Sequence, residues 1–195
     1  MVRKLLYIAS ILFLVTQSVS GQKFYRIERI AAISTRSYHE LAAIPYKDGV
    51  VFLSNRIPSS STEYTNEEDR HFSDIFYIDW DGEKDWGTPK PIESVNSNYF
   101  DGPVSFTSDG NLMCFSRMYV AETGARGKRG NPNAGIYFAD FENETWTNIR
   151  QFEGNDPQYT LYTPYISPDG NSIYFAANFE DSRGGFDIYV SRKTN

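Results

Sequence analysis

Ser167 to Lys193 reads SPDGNSIYFAANFEDSRGGFDIYVSRK. Its opening, Ser167-Pro168-Asp169-Gly170, is turn chemistry: proline presets φ, aspartate bonds its own backbone, and glycine supplies the positive φ that a tight hairpin needs. Ser172 to Asn178 then alternates as a strand rich in Ile, Tyr and Phe. Gly184-Gly185 breaks the chain, and Phe186 to Ser191 reads as another strand. The unit is a hairpin followed by a further strand.

Working outward, the same signals recur. Asp48-Gly49, Asp109-Gly110 and Asp169-Gly170 return at a nearly constant interval, and Trp86 and Trp146 keep that interval too. Each Asp-Gly precedes an apolar run ending in Phe: Val50-Val51-Phe52, Met113-Cys114-Phe115 and Ile173-Tyr174-Phe175. A further strand follows in Asp74-Ile75-Phe76-Tyr77, Gly135-Ile136-Tyr137-Phe138 and Asp187-Ile188-Tyr189-Val190. One period therefore holds four strands: A before the Asp-Gly turn (Glu40 to Tyr46, Gly102 to Thr107, Thr163 to Ser167), B after it, C at the Ile-Tyr pattern, and D beginning at the tryptophan. A period of about sixty residues lies near the upper range for a four-stranded β-propeller blade.

SPDGNSIYFAAN followed by GGFDIYVSRK closely resembles the PD40, or WD40-like, propeller repeat. That repeat is known from the TolB propeller and from cell-envelope proteins of Bacteroidetes-type bacteria that often carry an OmpA-like domain. Pro168, Asp169, Gly170, Phe175, Asp187, Ile188 and Tyr189 hold the pattern's positions, and the two earlier repeats match it more weakly. The resemblance covers nearly all of the chain after residue 21. It implies an all-β propeller of about three four-stranded antiparallel blades, exported from the cell, with a non-catalytic binding or scaffold role.

The N-terminus fits export. Met1 to Lys4 is basic, Leu5 to Val15 is an apolar run, and small and polar residues follow to Gly21. This is the form of a signal peptide, and the run is too short to span a bilayer as a helix. No Cys stands at the expected cleavage point to carry a lipid anchor. Removing residues 1–21 leaves 17 basic against 25 acidic residues, a net charge of −8, which argues against nucleic acid as a partner. The 16% aromatic content favours sheet.

The expected organisation is a signal peptide at 1–21, a D strand completing another blade at 22–37, and blades at 38–98, 99–158 and 159–195, the last lacking its D strand. The D reading at the start rests on Tyr25, which precedes Tyr38 by the same interval as Trp86 precedes Tyr99. Ordinary propellers have four to eight blades, so three leave alternatives. The chain is a fragment, or two copies form one six-bladed ring, or the blades stack as an open arc with unpaired edges, which proteins avoid. The fragment is the first reading and the homodimer the second.

The long B-to-C connections, Ile57 to Phe72 and Tyr119 to Ala134, are polar and exceed what a hairpin needs. Loops of this kind carry binding specificity on a rigid scaffold. Chemistry is sparse elsewhere. His39 and His71 are the only histidines, with no metal-ligand spacing around them. Ser59 to Ser61 reads as a polar turn, Glu67-Glu68-Asp69 as a solvated charge run, and Asn143-Glu144-Thr145 as an exposed turn. Cys114, the single cysteine, lies in an apolar run and reads as core.

Asp48, Gly49, Asp109, Gly110, Pro168, Asp169, Gly170 and Asp187, with Trp86 and Trp146, read as structural repeat positions rather than catalytic ones. Neither a catalytic set nor a metal or cofactor site is expected, and no enzymatic activity is expected of the chain's own residues. The partner is an envelope protein or cell-wall component of the periplasm or outer membrane, without nucleic acid or a transmembrane segment after cleavage. The alternative is the substrate-binding or gating propeller of a hydrolase, acting on peptides or glycans, whose catalytic domain lies outside this chain.

Overall fold

The computed structural model describes residues 25–56, 73–83, 85–119 and 133–194. The expected leader, residues 57–72 and 120–132 of the long connections, and with them Ser59 to Ser61, Glu67 to Asp69 and His71, lie outside the described residues.

Eleven strands are described, in three antiparallel sheets. The first sheet is β1 (Glu40–Tyr46), β2 (Gly49–Ser54), β3 (Asp74–Asp79) and β4 (Lys90–Pro91), in that order. The second repeats it with β5 (Asp101–Phe106), β6 (Leu112–Met118), β7 (Ala134–Glu142) and β8 (Thr145–Gln151). The third holds β9 (Leu161–Ile166), β10 (Ser172–Ala177) and β11 (Asp187–Arg192), with β10 in the middle. These are the A, B, C and D strands of the repeat, and the sheets are its blades.

Alternation along the strands decides how blades stack, because successive side chains point to opposite faces. Val51, Leu53 and Ile75 face the next blade, where they meet Met113, Phe115, Tyr137, Ala139 and Trp146 in one core. One blade on, Cys114 and Ile136 meet Ile166, Ile173 and Phe175 in a second core. Cys114 is fully buried, and burial pushes its thiol pKa up, as expected of an inert core residue. Each aromatic or branched side chain buried in this way contributes about 1.5–3 kcal/mol.

Each A strand also carries a register shift against its B strand, near a residue with left-handed φ: Ala42, Gly102 and Thr163. A bulge at one place in every blade twists each A strand alike.

Two local expectations change. The D strand of the first blade does not begin at Trp86, which makes only an isolated bridge to Trp80. Pro89 and Pro91 lack the N–H that a ladder needs, so just Lys90–Pro91 pairs with β3. Gly49 is not the turn residue of its hairpin. Lys47 takes the left-handed conformation, while Gly49 opens β2 with its α-carbon so close to β3 that a Cβ would collide with the Ile78 carbonyl oxygen. Gly110 and Gly170 do take positive φ, at 68° and 71°.

Candidate functional site

β2 and β3 part after the pair Ser54 and Asp74, and β6 and β7 after Met118 and Ala134. Both long connections therefore leave the blades at one end, the end where β1 starts with Glu40 and β5 with Asp101. Described residues tie this end together across blades: the Asp101 N–H donates to the Ser73 carbonyl at 3.0 Å.

The root of this end is a buried ion pair. Asp101 is 0% exposed, and one carboxylate oxygen accepts from Arg117 Nε at 2.6 Å. The other accepts from the Ser97 N–H and hydroxyl at 2.5 and 2.7 Å. Arg117 also donates to the Val95 carbonyl and lies over the rings of Phe115 and Tyr137. Burial pushes the Asp101 pKa up, and the guanidinium and the Ser97 donors oppose it.

The first blade repeats the device. Arg56 bonds Glu40 at 3.1 Å and the Ile33 carbonyl at 2.7 Å, and it lies over Phe52 and Phe76. Sequence reasoning missed both pairs. Their signal was that Arg56 and Arg117 stand one repeat apart, each near the end of a B strand.

Asp74 sits at the base of the first connection. Burial, reinforced by the nearby Asp101 charge, lifts its pKa to about 7. The folded chain then holds a proton that the unfolded chain has released, so stability falls as pH rises from about 4 to about 7 and is level above that. Asp74→Asn is expected to flatten this slope and to raise the urea midpoint at pH 8 but not at pH 4, read from denaturation curves.

Asp187, at the same end of the third blade, accepts from the Arg183 N–H at 2.8 Å, and Tyr189 donates its hydroxyl to Asp181 at 2.8 Å. His39 is exposed, and its N–H donates to Asn55 Oδ1. Among the described residues, no group of three or more His, Cys, Asp or Glu is placed to hold a metal ion.

The remaining repeat residues gather at the opposite, turn-bearing end. Asp169 accepts from the Ser167 hydroxyl at 2.6 Å and the Asn171 N–H at 3.0 Å, which hold its pKa down to about 2. Pro168 lends its carbonyl to the neighbouring blade, accepting from the Ser108 N–H and hydroxyl. Asp109 accepts in the same way from Thr107 and Asn111, while Asp48 instead accepts from the Tyr77 hydroxyl at 2.6 Å. Trp146 is buried against Tyr46, Phe106 and Phe141, whereas Trp86 is half-buried and stacks on Trp80.

Two clefts open at this end. One of about 680 Å³ lies between the first two blades, with Tyr46, Tyr77, Phe141 and Trp146 in its wall and Lys47 Nζ 3.4 Å from the centre of the Phe141 ring. The other, about 420 Å³, lies between the second and third, lined by Leu112, Phe138, Phe152, Ile173 and Arg192 among others. They occupy the same place in successive repeats, so each is part of how neighbouring blades splay.

Repeated four-stranded blades that stack face to face define an all-β propeller, and this chain has that fold. Two solved hydrolase structures agree. A Mycobacterium tuberculosis puromycin-hydrolysing peptidase is similar at 14% identity and a TM-score of 0.51, over 81% of this chain and 21% of its own. A puromycin hydrolase mutant complexed with PGG is similar at 10% identity and a TM-score of 0.50, over 78% of this chain and 21% of its own. TolB from Acinetobacter baumannii matches at 19% identity and a TM-score of 0.43, over 76% and 28% of the two chains. The chain thus spans about a fifth of the length of the two hydrolases. No family model matches it, and no curated protein does. No helix among the described residues is long and apolar enough to cross a membrane.

Proposed function

We propose that this chain is an exported, non-catalytic propeller that holds an envelope protein or cell-wall component at the connection-bearing end of its blades, in the periplasm or at the outer membrane of a bacterium of the Bacteroidetes type. The observation that carries this reading is the shared root of the two long connections. Both leave the same end of the blades, over the buried Asp101 and Arg117 pair, so partner-contacting residues placed there have a rigid base. Their sequences offer opposite net charges to a partner, Glu63, Glu67, Glu68 and Asp69 outweighing Arg70 in one and Arg126, Lys128 and Arg129 outweighing Glu122 in the other. The resemblance to PD40 repeats supports the envelope setting.

Exchanging residues 58–71 and 121–131 for short Gly-Ser links is expected to abolish capture of envelope proteins or sacculi while leaving the melting temperature near that of the parent. Capture by the shortened chain at the parent's level contradicts the reading.

A second reading, the substrate-binding or gating propeller of a hydrolase, is favoured by the likeness to the puromycin-hydrolysing peptidase. It requires the reading frame to continue past Asn195 into an α/β domain bearing a GxSxG nucleophile elbow.

A further inference from the structure

The two clefts at the turn-bearing end share a place in the repeat but not a lining. Tyr46 pairs with Gly49, and Gly49 with Asp79; one blade on, Thr107 bonds Leu112, and Leu112 pairs with Asp140. In the third blade Ser172 pairs with Arg192. Thr107, Ser108 and Lys193 thus hold the places of Tyr46, Lys47 and Phe141. The second junction forms without those residues, so blade stacking alone does not account for the aromatic set of the first cleft.

Lys47 shows what the first cleft accepts. Its Nζ lies 3.4 Å from the centre of the Phe141 ring and 5.3 Å from that of Tyr46, within the range at which an aromatic face attracts a cation. Tyr46 stands edge-on to Tyr77 and tilted against Trp146, with ring centres 6.2 and 5.8 Å apart, and Phe141 meets the same indole at 5.1 Å. The four rings form one wall, and hydrogen bonds hold it in place. The Tyr46 hydroxyl donates to the Gly110 carbonyl at 3.0 Å and the Tyr77 hydroxyl to Asp48 at 2.6 Å, while Trp146 is 6% exposed. Apart from Lys47, the charged residues of the lining are Lys90, Glu93 and Glu144, a net charge of −1. Without its own lysine the wall is complementary to one small cation.

Lys47 is also a guest that can leave. It is exposed, in the turn between β1 and β2, and its φ of 50° is a conformation that suits glycine better than lysine. Swinging the side chain into water uncovers the Phe141 face without moving a strand. A ring face that attracts a primary ammonium attracts a methylated one in the same way, and the methylated head buries more apolar surface and gives up less hydration.

We propose that the first cleft is a binding site for a small organic cation of the alkylammonium class, quaternary ammonium foremost, and that Lys47 is its internal competitor. Its volume of about 680 Å³ is that of a small-molecule site. The site is independent of what the connection-bearing end holds, and its guest is a free small molecule, not an envelope partner.

Choline and dimethylbutanol, its neutral carbon isostere, are titrated at one ionic strength into the chain from Gln22 and followed by the indole N–H signals of its NMR spectrum. Choline is expected to shift the Trp146 signal and to bind about ten-fold more tightly than the isostere. Lys47→Gly suits the left-handed turn and removes the competitor. It is expected to keep at least the parent's melting temperature and to bind choline about ten-fold more tightly than the parent does. Lys47→Arg retains a cation for the ring and is expected to match the parent. Adding Phe141→Leu to Lys47→Gly is expected to reduce choline to the affinity of the isostere. The isostere comparison leaves the wall untouched, so it decides the matter even where Phe141→Leu fails to fold. Equal affinity of Lys47→Gly for choline and dimethylbutanol overturns the proposal, whether both bind or neither does. So does a Lys47→Gly variant that binds choline no more tightly than the parent, or choline binding that a folded Phe141→Leu variant leaves unchanged.

Discussion

Replacing Arg117 with alanine is expected to cost about 3–5 kcal/mol of folding stability, the loss seen when one member of a buried pair is removed. The side chains of Arg117 and Asp101 are 9% and 0% exposed, so little solvent screens the carboxylate left behind. Three further contacts go with the guanidinium: the cap on the Val95 carbonyl and the stacking on Phe115 and Tyr137. Pairing Arg117→Met with Asp101→Asn removes both charges and keeps most of the volume, so it is expected to cost less than Arg117→Ala alone. Urea unfolding of the parent and both variants measures this order. Equal losses would mean that packing, not the stranded charge, sets the effect.

Trp146→Ala is the second large loss, again about 3–5 kcal/mol, because it empties the centre of the core between the first two blades. Tyr46, Phe106 and Phe141 surround the indole with ring centres 5.8, 5.7 and 5.1 Å away. Trp86→Ala is expected to cost less, since that ring is half-buried, stacked on Trp80, itself 42% exposed, at the margin of the cluster of Ile33, Phe52, Phe76 and Ile78. The comparison is sharp because the two tryptophans stand one repeat apart and read alike in sequence. Thermal melts of the two variants side by side give the answer, and similar losses would contradict the packing described.

That contrast shows what the sequence carried. Asp109-Gly110 and Asp169-Gly170 announced their hairpins because a left-handed glycine after a self-bonding aspartate is a local requirement, met within a single turn. β1 falls on Glu40–Tyr46, the span that the repeat predicts for its A strand. Asp48-Gly49 looks the same and works differently, since Gly49 answers to the Ile78 carbonyl on another strand. The short β4 was legible in Pro89 and Pro91 and was overridden by the repeat.

The ion pairs at the connection-bearing end were not legible as pairs. Arg117 and Asp101 are distant in sequence, and only the antiparallel register of β5 and β6, which sets Asp101 opposite Arg117, brings them together.

The claim that joins these observations is that partners meet the end of the blades from which the long connections leave. A photo-crosslinking residue placed in turn at His39 and Glu180, both exposed at that end, and at Lys47 and Asn143, both exposed at the turn-bearing end, tests it directly in the native envelope. The account predicts covalent adducts with an envelope component from His39 and Glu180 and none from Lys47 and Asn143. Adducts confined to Lys47 and Asn143 would contradict it.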